Sequence, residues 1–382
     1  MSPPASPRRL VYLTGTRADF GLMQGSLLRI AATPGLHLEV AVTGMHLSVA
    51  HGNTVQEVRA SGLPVCAEIA LDMGTRTGAS MALGVAECLR GMTELLQRER
   101  PDFLLVLGDR GEMLAGAIAA LHVGVPCVHI HGGERSGTVD EPVRHAISKL
   151  ASYHFVATEG SRERLLRMGE EEGRLFVTGA PGLDGLAELG AMAREECTRS
   201  LGLRSSAPFA LAVFHPVVQQ SAEAGAQTKA VVHALQRVGL PVVWLEPNAD
   251  AGSREIMAAL DTAPLPAGSV RLRHVPRPLF AAAMRHCEVL AGNSSAGIIE
   301  AATFGTPVLN IGDRQRLRER NPNVADAPAE AGAIESGIRA AIAHGRWACD
   351  NPWGDGKAGE RIARLLATLP AGPALLEKVN SY

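Results

Sequence analysis

Aromatic residues make up only 4% of the 382, no lysine-rich run occurs, and nowhere do aromatics alternate with a basic stripe. The electrostatic footprint of a nucleic-acid binder is therefore missing. Cysteine is sparse as well: Cys66, Cys88, Cys127, Cys197, Cys287 and Cys349 form no CxxC pair, and none stands at metal-ligand spacing. They read as buried thiols in a reducing compartment, and no metal site is expected. No apolar run approaches bilayer length, and the short stretch 10–13 behind Arg8 and Arg9 enters a Gly-Thr-Arg turn too soon for a signal peptide. A cytoplasmic protein without membrane contact is the expectation. The first strand-turn-helix, LTGTRADFG over residues 13–21, lacks GxGxxG spacing. It gives no support to a dinucleotide site, and no cofactor is expected.

What is present is the composition of a globular enzyme, 46% apolar and 20% charged with a formal charge of -2. Disorder is thereby disfavoured. A chain of 382 residues exceeds what one hydrophobic core ordinarily supports, so two domains are expected. Strand-like runs at 10–13, 38–42, 64–69, 103–107, 126–130, 154–157 and 175–178 alternate with helical periodicity such as 113–122 and 143–151. Strict alternation implies a doubly wound parallel sheet.

Over 184–206 the pattern changes to a helix rich in Ala, Glu and Arg and then the polar segment LRSSAP, where the domain link is placed. A second alternation follows, with strands at 209–214, 241–245, 270–274, 289–291 and 307–311 and helices at 222–238, 254–260, 279–285 and 297–304. The expected architecture is α/β: a Rossmann-like domain over 1–190, a second over 205–355 facing it across a cleft, and a tail over 356–382, helical at first, with the option of crossing back. Enzymes that bind nucleotide sugars use this layout.

Residues 108–145 concentrate Asp109, His131, Glu134, Asp140, Glu141, Arg144 and His145 around two strand ends and a Gly-rich turn. Such a density of proton-handling groups marks a catalytic cleft, because active sites of open α/β sheets gather where parallel strands end. Glu112 reads as a helix-face residue, Arg144 or His145 as a partner for a carboxylate, and His122 and His129 as core. In the second half, AGNSSAGIIE over 291–300 follows a strand and opens a helix. Its small residues would let backbone amides approach a diphosphate, with Ser294 and Ser295 donating, the helix N-terminus adding positive charge and Glu300 accepting from ribose hydroxyls. A plain N-cap at a tight crossing is the alternative.

The arginine-rich run at 312–320 offers planar forks suited to phosphate, with Arg314 the choice, or else is a solvated loop. His215 ends a strand, where it would bond phosphate, transfer a proton or simply be structural. Arg17 reaches toward the cleft from the first turn. His46 repeats that geometry after the next strand, or is packed.

Taken together, TGTRAD at 14–19, GDR at 108–110, HIHGGE at 129–134, Asp140-Glu141 with Arg144-His145, FHP at 214–216 and GNSS at 292–295 resemble the hydrolysing UDP-N-acetylglucosamine 2-epimerases. The resemblance runs over nearly the whole chain. It implies the two-domain glycosyltransferase-B fold and a family supplying N-acetylmannosamine, or a 2,4-diacetamido relative, for sialic-acid-type sugars. It also implies catalytic roles for Asp109 and Asp140/Glu141, a place for His215 near the phosphates, and UDP held by Ser294, Ser295, Glu300 and Arg314. Some members carry glutamate where this chain has His131, so His131 and Glu134 both stand as proton-transfer candidates.

The expected catalytic set is therefore Asp109, His131, Glu134, Asp140, Glu141 and His215. Arg17, His46, Arg144, His145, Asn248, Ser294, Ser295, Glu300 and Arg314 are expected to bind substrate. Elimination of UDP to a glycal followed by hydration is the expected route, on UDP-N-acetylglucosamine or, alternatively, on UDP-2,4-diacetamido-2,4,6-trideoxyglucose (UDP-diacetylbacillosamine) for legionaminic acid. A UDP-sugar glycosyltransferase and a non-catalytic nucleotide-sugar sensor are the competing readings. The UDP-sugar is the expected partner, and a homodimer is expected by similarity.

Overall fold

Strands covered on both faces are written as unbroken apolar runs, and FLLVL at Phe103–Leu107 is one such run, with all five residues buried. The structure, a computed structural model, describes residues 6–49, 52–72, 77–136, 139–204, 206–248, 250–348 and 350–382. Cys349, Ser205 of the expected link, and residues 73–76 and 137–138 lie outside the described residues.

Seven strands form the first sheet: β1 (Arg8–Thr14), β2 (Leu36–Thr43), β3 (Val65–Ile69), β4 (Phe103–Leu107), β5 (Cys127–Ile130), β6 (Tyr153–Val156) and β7 (Leu175–Val177). Six form the second: β8 (Ala210–Val213), β9 (Val242–Leu245), β10 (Val270–Leu272), β11 (Val289–Gly292), β12 (Val308–Ile311) and β13 (Val324–Ala327). Their orders are β3-β2-β1-β4-β5-β6-β7 and β10-β9-β8-β11-β12-β13, and every pairing is parallel. Strand order thus reverses between β1 and β4 in one sheet and between β8 and β11 in the other. Those two points are where an open α/β sheet leaves a crevice at its strand ends.

The expected pair of doubly wound units is the observed architecture. Three local expectations are corrected. The helix expected at 297–304 is only Ser295–Ile299, followed by a tight turn at Ala301–Phe304. The helix expected near the link is two short ones, Leu186–Leu189 and Arg194–Ser200, interrupted at Gly190, where a Cβ would lie 2.7 Å from the Phe304 ring. His122, assigned to the core, is exposed on the last turn of Gly111–Val123. Cys66 is half-buried, whereas Cys88, Cys127, Cys197 and Cys287 are buried.

Gly292 closes β11 with φ +146°, and a Cβ there would sit 2.0 Å from the Val213 carbonyl oxygen. Only glycine lets β11 and β8 end this close together. The chain end returns to the first sheet. Helix Ala358–Thr368 packs on Arg17–Ala31, burying Ile362 and Leu366 in the cluster that contains Met23 and Leu27. The Asp184 carboxylate accepts from the Ala358 and Gly359 amides at 2.8 and 2.6 Å, satisfying two orphan donors of that helix.

Beyond it, Lys378 donates to the carbonyls of Ser148, Lys149 and Ala151 at 2.8, 3.1 and 2.8 Å. These carbonyls end the helix Asp140–Leu150 or follow it, so the cation meets the negative end of the helix that begins at the acidic pair. Lys378 also pairs at 2.5 Å with the fully buried Glu170, which accepts from His154 as well. Lys378→Met is expected to lower stability by about 2 kcal/mol, read as a reduced thermal midpoint, while Lys378→Arg retains most of it. Equal midpoints for wild type and Lys378→Met would remove the tail from this role.

Candidate active site

The two strand-order reversals face one another, and between them lies a cavity of about 270 Å³ lined from both lobes. The front lobe contributes Arg17, Asp109, Arg110, His131, Glu134, Asp140 and Arg144. The rear lobe contributes His215, Asn248, Asp250, Ser294, Ser295, Arg314 and Arg318.

Asp109 stands two residues past β4 and is ion-paired with Arg144, whose guanidinium is 1% exposed. Arg144 also donates to the Glu134 carbonyl at 3.0 Å, so it ties the β4 turn to the β5 turn. Burial, and then the charges of Arg318, Arg314 and Arg164, pull its pKa well below the usual guanidinium range. Beneath the β4 turn, His129 donates from Nε2 to the Gly108 carbonyl at 2.7 Å and accepts at Nδ1 from the Ser148 hydroxyl at 3.0 Å. The core histidine thereby fixes the residue that precedes Asp109.

His131 has φ +62°, a left-handed conformation that costs a non-glycine residue about 1–2 kcal/mol. Its amide donates to the Phe155 carbonyl at 3.0 Å, and its Nδ1 pairs with the Glu134 carboxylate. Glu134 is 1% exposed and also pairs with Arg318 from the rear lobe. Burial favours the neutral acid, but Arg318 and His131 outweigh it and hold Glu134 below the usual carboxylate range. Asp140 faces Arg314 at 3.9 Å.

On the rear lobe, Asn293 fastens the two strand ends together. It accepts from the His215 amide at 2.7 Å and donates to the His215 carbonyl at 2.8 Å. Its own carbonyl accepts from Arg314 and from Gln315, each at 3.2 Å. The His215 Nδ1 accepts from the Asn248 amide at 3.3 Å, which leaves Nε2 to carry the proton. Burial and the charge of Arg314 push the His215 pKa down to about 3, so the ring is a neutral donor at physiological pH. Ser294 caps its short helix, accepting from the Ala296 amide at 3.3 Å. The capping role and the place on the cavity wall coexist.

Four expected site residues, His46, Glu141, His145 and Glu300, stand off the cavity wall. His46 is fully buried, its two ring nitrogens bonded to the Thr14 and Thr54 hydroxyls at 3.0 and 2.9 Å, and it packs edge-on against Phe20. The packed alternative holds for it. Glu141 turns back to accept from the Ser136 amide at 2.9 Å and lies 3.5 Å from His145, one helical turn on. Glu300 is 3% exposed and ion-paired with Arg277, while its Oε2 makes no directed hydrogen bond. Glu112, read as a helix-face residue, is 8% exposed and pairs with Arg110 at 3.3 Å.

The sequence reading passed over Arg110, Asp250 and Arg318. Arg318 stands four residues after Arg314 in the same arginine-rich run, a spacing that would have flagged it. Asp250 follows β9 in a loop without any motif and was illegible, yet it meets Arg110 across the cleft at 3.5 Å. Among the described residues, no group of three or more His, Cys, Asp and Glu side chains could hold a metal ion, and no helix is long and apolar enough to cross a membrane.

Residues 28–367 match the family described as UDP-N-acetylglucosamine 2-epimerase. The chain is 45% identical over 379 residues to the UDP-N,N'-diacetylbacillosamine 2-epimerase (hydrolyzing) of Legionella pneumophila, covering 98% of this chain and 100% of that protein. It is 32% identical over 367 residues to the UDP-N-acetylglucosamine 2-epimerase of Neisseria meningitidis serogroup B, covering 94% and 95%. The Methanocaldococcus jannaschii UDP-GlcNAc 2-epimerase, solved in complex with UDP-GlcNAc and UDP, matches with a TM-score of 0.79 at 19% identity over 94% of this chain and 99% of that one. This last likeness concerns the fold, and the glycosyltransferase-B arrangement is the one observed.

The histidine under the β4 turn sets a pH dependence. Burial pushes the His129 pKa down to about 3, below an unfolded value of about 6.5. Protonation therefore favours the unfolded chain: the stability is whole above about pH 6.5 and is lost progressively as pH falls toward 3. The thermal midpoint is expected to drop between pH 6.5 and 4, and His129→Gln to flatten that profile. An unchanged slope in the variant would assign the acid sensitivity elsewhere.

Proposed function

The chain belongs to the UDP-N-acetylglucosamine 2-epimerase family, and we propose that it is a hydrolysing 2-epimerase whose substrate is UDP-N,N'-diacetylbacillosamine. The observation that carries the chemistry is one cavity in which the front-lobe acids Asp109, Glu134 and Asp140 meet Arg314 and Arg318 of the rear lobe. The choice of sugar is supported by the full-length 45% relative, whose name specifies that substrate. The released 2,4-diacetamido sugar would serve a sialic-acid-type product of the legionaminic kind.

Arg314, Arg318, Ser295 and the His215 Nε2–H face the diphosphate. Their charge and dipoles are already oriented, so they stabilise the negative charge that grows on UDP as the C1–O bond breaks. The electron pair leaves with UDP, and the cationic character left at C1 acidifies the hydrogen on C2. A base takes that proton and the C1=C2 double bond of a glycal forms. Water then adds its oxygen at C1, and C2 receives a proton on the opposite face. The net change is water consumed, UDP released and C2 inverted.

Asp109 backed by Arg144, and His131 backed by Glu134, are the two proton-transfer groups on the cavity wall, and removal and return of the C2 proton fall to them. Asp140, facing Arg314, orients the ring between the two charge sets. In this reading Glu141 supports the turn instead of touching substrate.

With UDP-N,N'-diacetylbacillosamine in D2O, the protein is expected to release UDP and a free sugar carrying one deuterium at C2. Asp109→Asn is expected to lower kcat by at least ~10²-fold while UDP affinity, measured by calorimetry, stays within a few-fold. Product without deuterium at C2 is incompatible with the elimination route, and UDP release only when an acceptor is added would instead make the protein a transferase.

A further inference from the structure

Beside the substrate cavity lies a second chamber of about 360 Å³ that shares Asp109, Arg110, Asp140 and Asp250 with it. None of Ser294, Ser295 or Arg314 reaches this chamber. It therefore opens from the acids on the side away from the phosphate cradle. Its wall is mostly apolar: Leu71, Met81, Val85, Leu114, Val143 and Val218 all line it, each half-buried, with Asp72, Ser80 and Glu112 its polar members away from the shared mouth. Gly111 makes part of this wall possible, because a Cβ there would lie 2.6 Å from Val85 Cγ2 and push the valine off the β4 turn. Hydrophobic side chains from both lobes are thus gathered around a space that they leave unfilled.

The ring geometry of a hexosamine says which part of it arrives. UDP is attached at C1, and the acids must reach C2. The edge bearing C4, C5 and C6 lies across the ring from C1 and points past the acids, away from the diphosphate. In UDP-N,N'-diacetylbacillosamine that edge carries a C6 methyl and a C4 acetamido group. In UDP-N-acetylglucosamine it carries two hydroxyls. An apolar wall suits the methyl groups, while Arg110 and Asp250 at the shared mouth can meet the amide carbonyl and the amide N–H. Hydroxyls against the same wall lose water and gain no partner.

We propose that this chamber is the subsite for the C4 acetamido and C6 methyl groups of the sugar, and that Met81, Val85 and Val143 set the preference for the 6-deoxy substrate over the 6-hydroxy one. The inference rests on the epimerase reading and adds to it the part of the molecule that discriminates. A hydrophobic pocket rejects an added hydroxyl by only ~10²-fold, which sets the scale of the preference.

The test is kcat/KM on both UDP-sugars for wild type, for Val85→Thr with Val143→Thr, and for Met81→Gln. The valine-to-threonine changes conserve shape and bring hydroxyls to the wall. The ratio of kcat/KM, diacetyl over N-acetylglucosamine substrate, is expected to fall at least tenfold in the double variant and to move the same way in Met81→Gln. Val218→Thr, on the other lobe, gives an independent reading if the double variant does not fold. A wild type that turns over the diacetyl sugar, together with variants whose ratio stays within twofold of it, overturns the subsite and leaves the epimerase reading standing. A wild type that releases UDP from neither sugar overturns both.

Discussion

A carboxylate that is 1% exposed and shared between a histidine of its own lobe and an arginine of the other leaves the two lobes little freedom to part. Glu134 is that group, with His131 on its own side and Arg318 opposite. Leaving such a charge buried without its partner costs on the order of several kcal/mol. The cleft is stitched further by Arg110 with Asp250 at 3.5 Å, Arg164 with Glu319 at 2.8 Å and His274 with Glu57 at 2.6 Å. Ionic contacts of this kind can be exchanged for those of a charged ligand, which an apolar seam cannot do. Of the groups that bridge the cleft, Glu134, Arg318, Arg110 and Asp250 also line the cavity.

Charge crowding would favour an anion there. Arg144 and Arg314 are both pulled below the usual guanidinium range, by burial first and then by other arginines, although acids also face Arg314. His215 is driven neutral by burial and by Arg314. Mutual repulsion among desolvated cations is relieved by a diphosphate, and the relief is greatest as leaving-group charge grows. The front acids sit on the other side of this field. Without Arg144 and Arg318 beside them, carboxylates this close would repel both the diphosphate and one another.

Much of this was legible in the sequence for a physical reason. Parallel strands buried on both faces read as apolar runs, so 103–107 was placed without error, and residues at the ends of such runs, Asp109, His131, His215 and Ser294, arrive at one cavity. The edge strand β13 does not read that way, although the edge strands β3, β7 and β10 were placed. β13 has the pattern VADA, with Ala325 and Asp326 exposed, and neither it nor the helix Ala331–His344 was anticipated. Histidines were ambiguous because burial is decided by tertiary neighbours: His46 was expected at substrate or packed and His122 in the core, yet the first is enclosed by two threonines and the second faces solvent. Glu300 was expected to reach outward from its helix. The helix ends at that residue, and Arg277 meets the carboxylate instead.

The shortness of that helix also redistributes the work of holding charge. A macrodipole needs aligned peptides over several turns, and Ser295–Ile299 supplies little more than one before the tight turn at 301–304. The positive field at the rear wall thus comes chiefly from side chains, above all from Arg314, which donates to the Asn293 carbonyl while facing Asp140. One guanidinium accordingly touches both the phosphate cradle and the acid helix.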